Sequence, residues 1–380
     1  MKKKVAIFTS AYNNIYSGVG MYARMLVDLL LEKGEEVIIV SPDCDDSSKN
    51  FIKVKKFAYS LTPNSWLELS FQFNRILKDI HKDIKIVHFL DAREALFAKR
   101  YKDVFIIGSV HDTYSFDLQS QAILKQYFLD WRKRLLYYTT LYRLEKKAYK
   151  KLNLILSNTE YVKGRLVDFY ELDASKVHTV YLPAPVEMVD EKKVRYRVNP
   201  PFTISFIGGN FQRKGLLQLI KAVNILKKDG FEVYLKVAGR DKNLSLIKKW
   251  IKKQKLEGIV EFLGHLGRKE IEQLLEKTDV FAMPSIIEAF GLVYLEAMAY
   301  GIPVVGSKEG GVREIIEDNV NGYLCNPFVP DNIAENIKKA LNTSNREKII
   351  KNGFKTLSRF SKKTFLEKML QIYNLAEDKF

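Results

Sequence analysis

The run Pro284-Ser285-Ile286-Ile287-Glu288-Ala289-Phe290-Gly291-Leu292-Val293-Tyr294-Leu295-Glu296-Ala297-Met298-Ala299-Tyr300-Gly301-Ile302-Pro303-Val304-Val305 changes character twice. A short β-rich run ends at Pro284, helical spacing begins near Gly291 and stops at Gly301, and a second apolar run opens at Pro303. Strand, loop, helix and strand in that order form the unit of a parallel sheet covered by helices. The helix then starts at the carboxyl edge of the sheet, where open α/β folds bind ligands. Free N–H groups around Gly291, Leu292 and Val293, with the positive end of the helix dipole, make an anion site suited to a diphosphate. Glu288 stands before that site and Glu296 about one to two turns beyond it. Two acceptor-only carboxylates flanking a phosphate cradle suit a ligand with hydroxyls on both sides, such as a nucleoside diphosphate sugar. Two glutamates alone would read as a loop charge and a solvated helix charge, so the weight lies on the neighbouring pattern.

That pattern extends to both ends of the chain. Short apolar strand candidates at 5–10, 37–41, 84–90, 104–110, 154–157 and 177–182 alternate with amphipathic helical stretches, one of them beginning near Val19 and stopped by Gly34. After Pro183-Ala184-Pro185 a charged stretch, 187–201, lacks apolar periodicity and reads as a linker. The alternation restarts with strand candidates at 202–208, 233–238, 259–263, 280–282 and 303–306. The 380 residues exceed what one core normally holds, so two doubly wound α/β domains are expected, 1–186 and 202–358. The segment after Pro330 reads as helical to the end. Its last part, 359–380, carries Phe365, Leu366, Met369, Ile372 and Tyr373 in one apolar stripe that needs a surface to cover it.

An apolar fraction of 47% with 28% charged residues is that of a packed globular protein, and no apolar run is long enough to span a bilayer. The opening Val5-Ala6-Ile7-Phe8 run is too short for a signal-peptide core, which predicts a cytoplasmic protein. Cys44 and Cys325 stand far apart without metal-ligand neighbours, against a disulfide framework or a zinc site. The net charge of +17 calls for phosphorylated ligands, an anionic membrane or nucleic acid, without choosing among them. It is spread over both halves and no nucleic-acid recognition motif accompanies it, so a nucleic-acid-binding protein is the distant alternative.

With its neighbours, the 284–305 run resembles the paired-glutamate motif of glycosyltransferase family 4. The matching neighbours are Gly310-Gly311-Val312-Arg313-Glu314-Ile315-Ile316, Asn321-Gly322-Tyr323-Leu324, and Phe206-Ile207-Gly208-Gly209 leading to Arg213-Lys214-Gly215. The resemblance covers nearly the whole chain. It implies a GT-B architecture: two facing Rossmann-like doubly wound domains, with the C-terminal helix crossing back to the first. It implies a retaining transfer of a sugar from a UDP- or GDP-linked donor to a hydroxyl of a glycan or lipid-linked acceptor, with no cofactor and no metal. By the same resemblance Glu296 accepts from the ribose hydroxyls and Glu288 contacts the transferred sugar. Phe290, Gly291, Leu292 and Val293 supply backbone amides, and Gly208 and Gly209 form the loop before the basic pair. Arg213 and Lys214 would replace a metal, because fixed cations aimed at the leaving diphosphate stabilise the charge that develops there. Base recognition falls to backbone groups around Leu263. An epimerase or hydrolase using the same donor pocket is the alternative within the architecture.

In the first half, Ser17-Gly18-Val19-Gly20 precedes the first helix. Its fit to a dinucleotide fingerprint is poor, since Gly18 lies eight residues past Ser10 rather than in the turn directly after the strand. The resemblance instead gives Gly18 and Gly20 a backbone approach to the donor phosphates. His111, after a buried strand, is implied to lie near the transferred sugar, and Asp112 near the acceptor. No general base follows from the residues. Between Gln121 and Lys151, seven aromatic residues stand among nine Lys and Arg and two acids. Two readings stay open there: a helix on the anionic inner face of a membrane, or a domain helix whose aromatic stripe is core.

Overall fold

The structure, a computed structural model, describes residues 4–13, 18–43, 50–55, 65–116, 118, 131–241 and 244–377. The chain divides into two compact units, residues 1–182 with 363–380 and residues 183–362.

In the first unit, strands β1 (Lys4–Phe8), β2 (Glu36–Ser41), β3 (Phe51–Lys53), β4 (Ile86–Phe89), β5 (Phe105–Val110), β6 (Leu154–Ser157) and β7 (Val177–Thr179) form one parallel sheet. Its order is β3-β2-β1-β4-β5-β6-β7. Helices α1 (Gly18–Glu32), α2 (Ser65–Ile80), α3 (Trp131–Tyr149) and α4 (Glu160–Asp168) follow in the connections. The central strands β4, β5 and β6 are buried along their whole length, which is why they read as continuous apolar runs rather than alternating ones. Strand β3 escaped the sequence reading because it is three residues long at the sheet edge, too short to show a period.

The second unit contains β8 (Phe202–Ile207), α5 (Leu216–Lys228), β9 (Val233–Ala238), α6 (Leu244–Lys253), β10 (Val260–Gly264), α7 (Arg268–Glu276), β11 (Val280–Met283) and α8 (Leu292–Ala299). These are followed by β12 (Val304–Ser307), β13 (Tyr323–Cys325), α9 (Pro330–Leu341) and α10 (Thr343–Leu357). Its parallel sheet has the order β10-β9-β8-β11-β12-β13. Strand order reverses between β8 and β11, so the loops after these two strands diverge and leave a crevice at the carboxyl edge. The edge strand β13 was also missed, for the same reason as β3.

The chain does not run as one helix after Pro330. It breaks at Asn342, whose side chain caps α10 by accepting from Ser344 N–H at 2.9 Å, and again at Ser358–Phe360, before α11 (Lys362–Glu377). Helix α11 belongs to the first unit and buries Phe365, Met369, Ile372 and Tyr373 there. Phe365 meets Tyr22 edge-on at 5.6 Å, and Tyr373 Oη lies 2.8 Å from His88 Nδ1. The 187–201 stretch, expected as a linker, is folded onto the second unit. Val194 and Val198 are buried, Val189 N–H donates to Ala299 O, and Arg195 pairs with Asp279 at 3.1 Å. Its charges hid these anchors because only two apolar residues of the stretch point inward.

Helix α3 supplies core. Tyr149 is buried, and Tyr142 Oη donates to Phe169 O at 2.7 Å with its ring against Tyr170. Leu136 and Tyr137 face outward. Residues 119–130, the rest of the basic aromatic stretch before this helix, lie outside the described residues, as does Cys44. Among the described residues no helix is long and apolar enough to cross a membrane.

Candidate active site

In the second unit the sequence-selected residues gather where strand order reverses. Gly208 and Gly209 follow β8 directly, and Arg213 and Lys214 lie in the turn before α5. Pro284 to Phe290 follow β11, and Gly291 caps α8 in a left-handed conformation. The two loops are bonded to each other: Ile286 N–H donates to Arg213 O at 2.8 Å. Lys214 Nζ donates to Glu288 Oε2, closing an ion pair between residues 74 positions apart. Ser285 Oγ reaches the same oxygen at 3.4 Å. Glu288 is buried, so the pair lies in a medium where Coulomb attraction is strong and an unmatched charge is costly.

The Gly310-Gly311 motif explains itself as the clamp on Glu288. Gly311 N–H donates to Glu288 O at 2.9 Å, and a Cβ on Gly310, at φ 85°, would lie 2.4 Å from that carbonyl oxygen. Only glycine allows this approach. Asn321 closes the turn before β13 instead of facing a ligand, donating to Ile315 O and accepting from Glu317 N–H. Phe290 buries its ring against Phe360 at 5.6 Å.

Glu296, in the second turn of α8, is buried and paired with Arg268 Nη1 at 2.8 Å. Burial raises its pKa above the ordinary glutamate value, and Arg268 offsets part of that rise. Arg268 was missed by sequence reasoning. Its only signal is its place as the first residue of α7, directly after the loop that ends β10. Leu263 is within β10 rather than in the following loop. The ladder with β9 slips between Phe262 and Gly264 and skips it, and Gly239 N–H donates to Gly264 O at 2.6 Å. The loops after β8, β9 and β10 are thus contiguous at the same edge.

In the first unit, α1 already begins at Gly18, so Gly18 and Gly20 belong to the first helical turn and not to a preceding loop. His111 follows β5, with Tyr22 edge-on to its ring at 4.9 Å and Asn158 Nδ2 donating to its carbonyl at 3.1 Å. Burial lowers its pKa to about 4, against the opposing charge of Asp91, and among the described residues its Nε2 has no hydrogen-bond partner. His88, fully buried between Tyr373 and Ser109, is lowered to about 3 for the same reason. Both rings are therefore neutral well below pH 6.5. NMR of the histidine rings, assigned with a His111→Gln variant, should show no titration step for either between pH 7 and 5. Asp112 Oδ1 accepts from Thr113 N–H at 2.9 Å.

Nearby, Asp91 and Arg93 form a 2.6 Å pair that holds the Asp91 pKa low against its burial. Glu145 is buried, accepts from Tyr114 N–H, Tyr149 Oη and Tyr170 Oη, and is raised to about 7 by burial. None of these was read from sequence, because their partners come from separate elements.

These features define a protein of two doubly wound parallel-sheet units, the second with an acid- and base-lined helix start at its switch point. Residues 16–187 match the family described as Glycosyltransferase Family 4, and residues 189–356 that described as Glycosyl transferases group 1. The chain belongs to the family 4 type of glycosyltransferases and has the GT-B fold. An uncharacterised glycosyltransferase of Methanocaldococcus jannaschii is 28% identical over 58% of this chain and 60% of its own length. The amylovoran biosynthesis glycosyltransferase AmsK of Erwinia amylovora is 33% identical over 35% of this chain and 34% of its own. The chain thus spans less than two thirds of these relatives. Among solved structures, sucrose-phosphate synthase from Thermosynechococcus elongatus superposes with TM-score 0.78 at 17% identity, covering 100% of both chains. HepE of Anabaena, in complex with UDP-glucose, gives 0.70 at 18% identity over 98% of this chain and 99% of its own.

Proposed function

We propose that the protein transfers a sugar, with retention, from a UDP- or GDP-linked donor to a hydroxyl of a glycan or lipid-linked acceptor, without a metal ion. The observation that carries this reading is the Lys214–Glu288 pair at the start of α8, with Arg268–Glu296 beside it. Arg213 and Lys214 stabilise the leaving diphosphate, helped by the N–H groups of Gly291, Leu292 and Val293. Glu288 accepts from a sugar hydroxyl and Glu296 from the ribose. His111, neutral by burial, presents Nε2 as the hydrogen-bonding atom toward the sugar. The donor's anomeric C–O bond breaks, the acceptor oxygen bonds to that carbon on the same face, and the leaving phosphate oxygen takes the acceptor proton. The UDP-glucose bound by HepE supports the donor class, and the amylovoran biosynthesis named for AmsK supports a glycan product. The basic residues of α3 support a cytoplasmic protein peripheral on the inner face of a membrane.

The test is a thermal-shift screen with UDP, GDP, ADP, their sugar conjugates and NAD in EDTA, followed by a transfer assay. One nucleoside diphosphate should stabilise the protein by mass action. No nucleotide response would overturn the donor reading, and a strict metal requirement for transfer would overturn the cation role of Arg213 and Lys214. Free sugar or an epimer formed without acceptor dependence would replace transfer by hydrolysis or epimerisation. Glu296→Gln should weaken nucleoside diphosphate binding by about 10-fold, the scale of one charge-assisted hydrogen bond, as read by calorimetric titration.

A further inference from the structure

We propose that the second unit carries another anion site, at the sheet edge opposite the diphosphate cradle, that takes a small phosphate monoester. A cavity of about 390 Å³ lies there, lined by Lys193, Arg195, Tyr300 and Arg346 among others. Its walls are the 189–195 stretch, the C-terminal end of α7 with the turn after it, the C-terminal end of α8 and Arg346 of α10.

Arg346 is the anchor. It is 2% exposed, and its Nε donates to Arg195 O at 3.0 Å while Nη1 donates to Asp279 O at 3.0 Å and Ala340 O at 3.2 Å. Those bonds fix the guanidinium plane, and Nη2 makes none among the described residues. That nitrogen is the donor the guanidinium can offer to a ligand in the cavity. The carboxylate nearest to hand, Asp279, is already taken by Arg195 at 3.1 Å and Thr203 N–H at 2.7 Å. Among the described residues no carboxylate pairs with Lys193, and Glu276 is the one acid on the lining. Burial lowers the Arg346 pKa to about 10, Asp279 opposes this and the nearby Arg195 charge adds to it, so the group is electrostatically undercompensated.

Lys193 and Arg346 Nη2 offer donors to an anion, and Arg195, bonded to Asp279 at 3.1 Å and to Thr278 O at 2.8 Å, adds its positive charge to the lining. The volume exceeds that of a bare phosphate, and Leu275, Tyr300 and Ile302 line the remainder, so the organic part of a monoester has an apolar surface.

Glycerol 3-phosphate and inorganic phosphate are the probes, titrated calorimetrically into the full chain with and without saturating UDP or GDP. Glycerol 3-phosphate should bind equally with and without the nucleotide, which separates this site from the donor cradle. Lys193→Gln, an exposed position, and Arg195→Lys, which keeps the charge beside Asp279, should each weaken that binding by about 10-fold. Neither should change nucleoside diphosphate affinity, and Lys193→Gln should leave the unfolding midpoint without ligand unchanged. Absence of binding, displacement by the nucleotide, or unchanged binding in both variants would overturn the site. Inorganic phosphate binding as tightly as glycerol 3-phosphate would overturn the monoester assignment. If no nucleoside diphosphate binds at all, the donor reading fails while the two variants still decide this one.

Discussion

Lys214→Met should lower the turnover of sugar transfer by about 10³-fold, the scale of removing one preorganised charge-stabilising group from a transition state. The lysine reaches the helix start from a turn held by backbone bonds on both sides, so it needs no reorganisation when the diphosphate departs. The substitution also leaves Glu288 buried without its cation, at a cost of about 3 kcal/mol or more. These effects separate in the double variant Lys214→Met, Glu288→Gln, which removes the unmatched charge. It should recover most of the unfolding midpoint and none of the turnover. Turnover that returned with stability would mean that Lys214 only supports the fold, and the cation role would be lost. Steady-state kinetics and thermal unfolding on the same preparations decide the matter.

Gly215→Ala should be the most damaging single methyl group in the second unit. Gly215 has φ 74°, and a Cβ there would lie 1.9 Å from Pro284 O, well inside contact distance with a backbone atom that cannot rotate away. Left-handed backbone strain and the clash act together, so a loss of about 3 kcal/mol or more is expected. The damage is directed, because relieving it pushes apart the two loops that Ile286 N–H and Arg213 O hold together. Denaturant unfolding should show a lower midpoint, and the Lys214–Glu288 pair should lose its register, with loss of nucleotide binding. Gly230→Ala is the control: its φ of 84° is equally left-handed, but nothing lies within 4 Å of the added carbon. A comparable loss in both variants would attribute the effect to backbone strain alone.

Much of the architecture was legible because parallel strands buried on both faces leave continuous apolar runs, and glycines such as Gly34 and Gly301 end helices at positive φ. Strands β6 and β9 fall on their predicted limits. What was not legible lacked a local period. Strands β3 and β13 take their conformation from a neighbour's hydrogen bonds, and the 187–201 stretch hides two buried valines among charges.

The candidate site residues of the second unit could be picked out from the chain, because a phosphate cradle would need glycine, a helix start and flanking carboxylates close together in sequence. Their partners could not. That Lys214 answers Glu288, that Arg268 answers Glu296, and that Arg346 stands beside a cavity all depend on strand order and on which loops it brings to the same edge. Local periodicity records which face of an element is buried, but it carries no information about the charge that will face it across 28 or 74 residues of intervening chain.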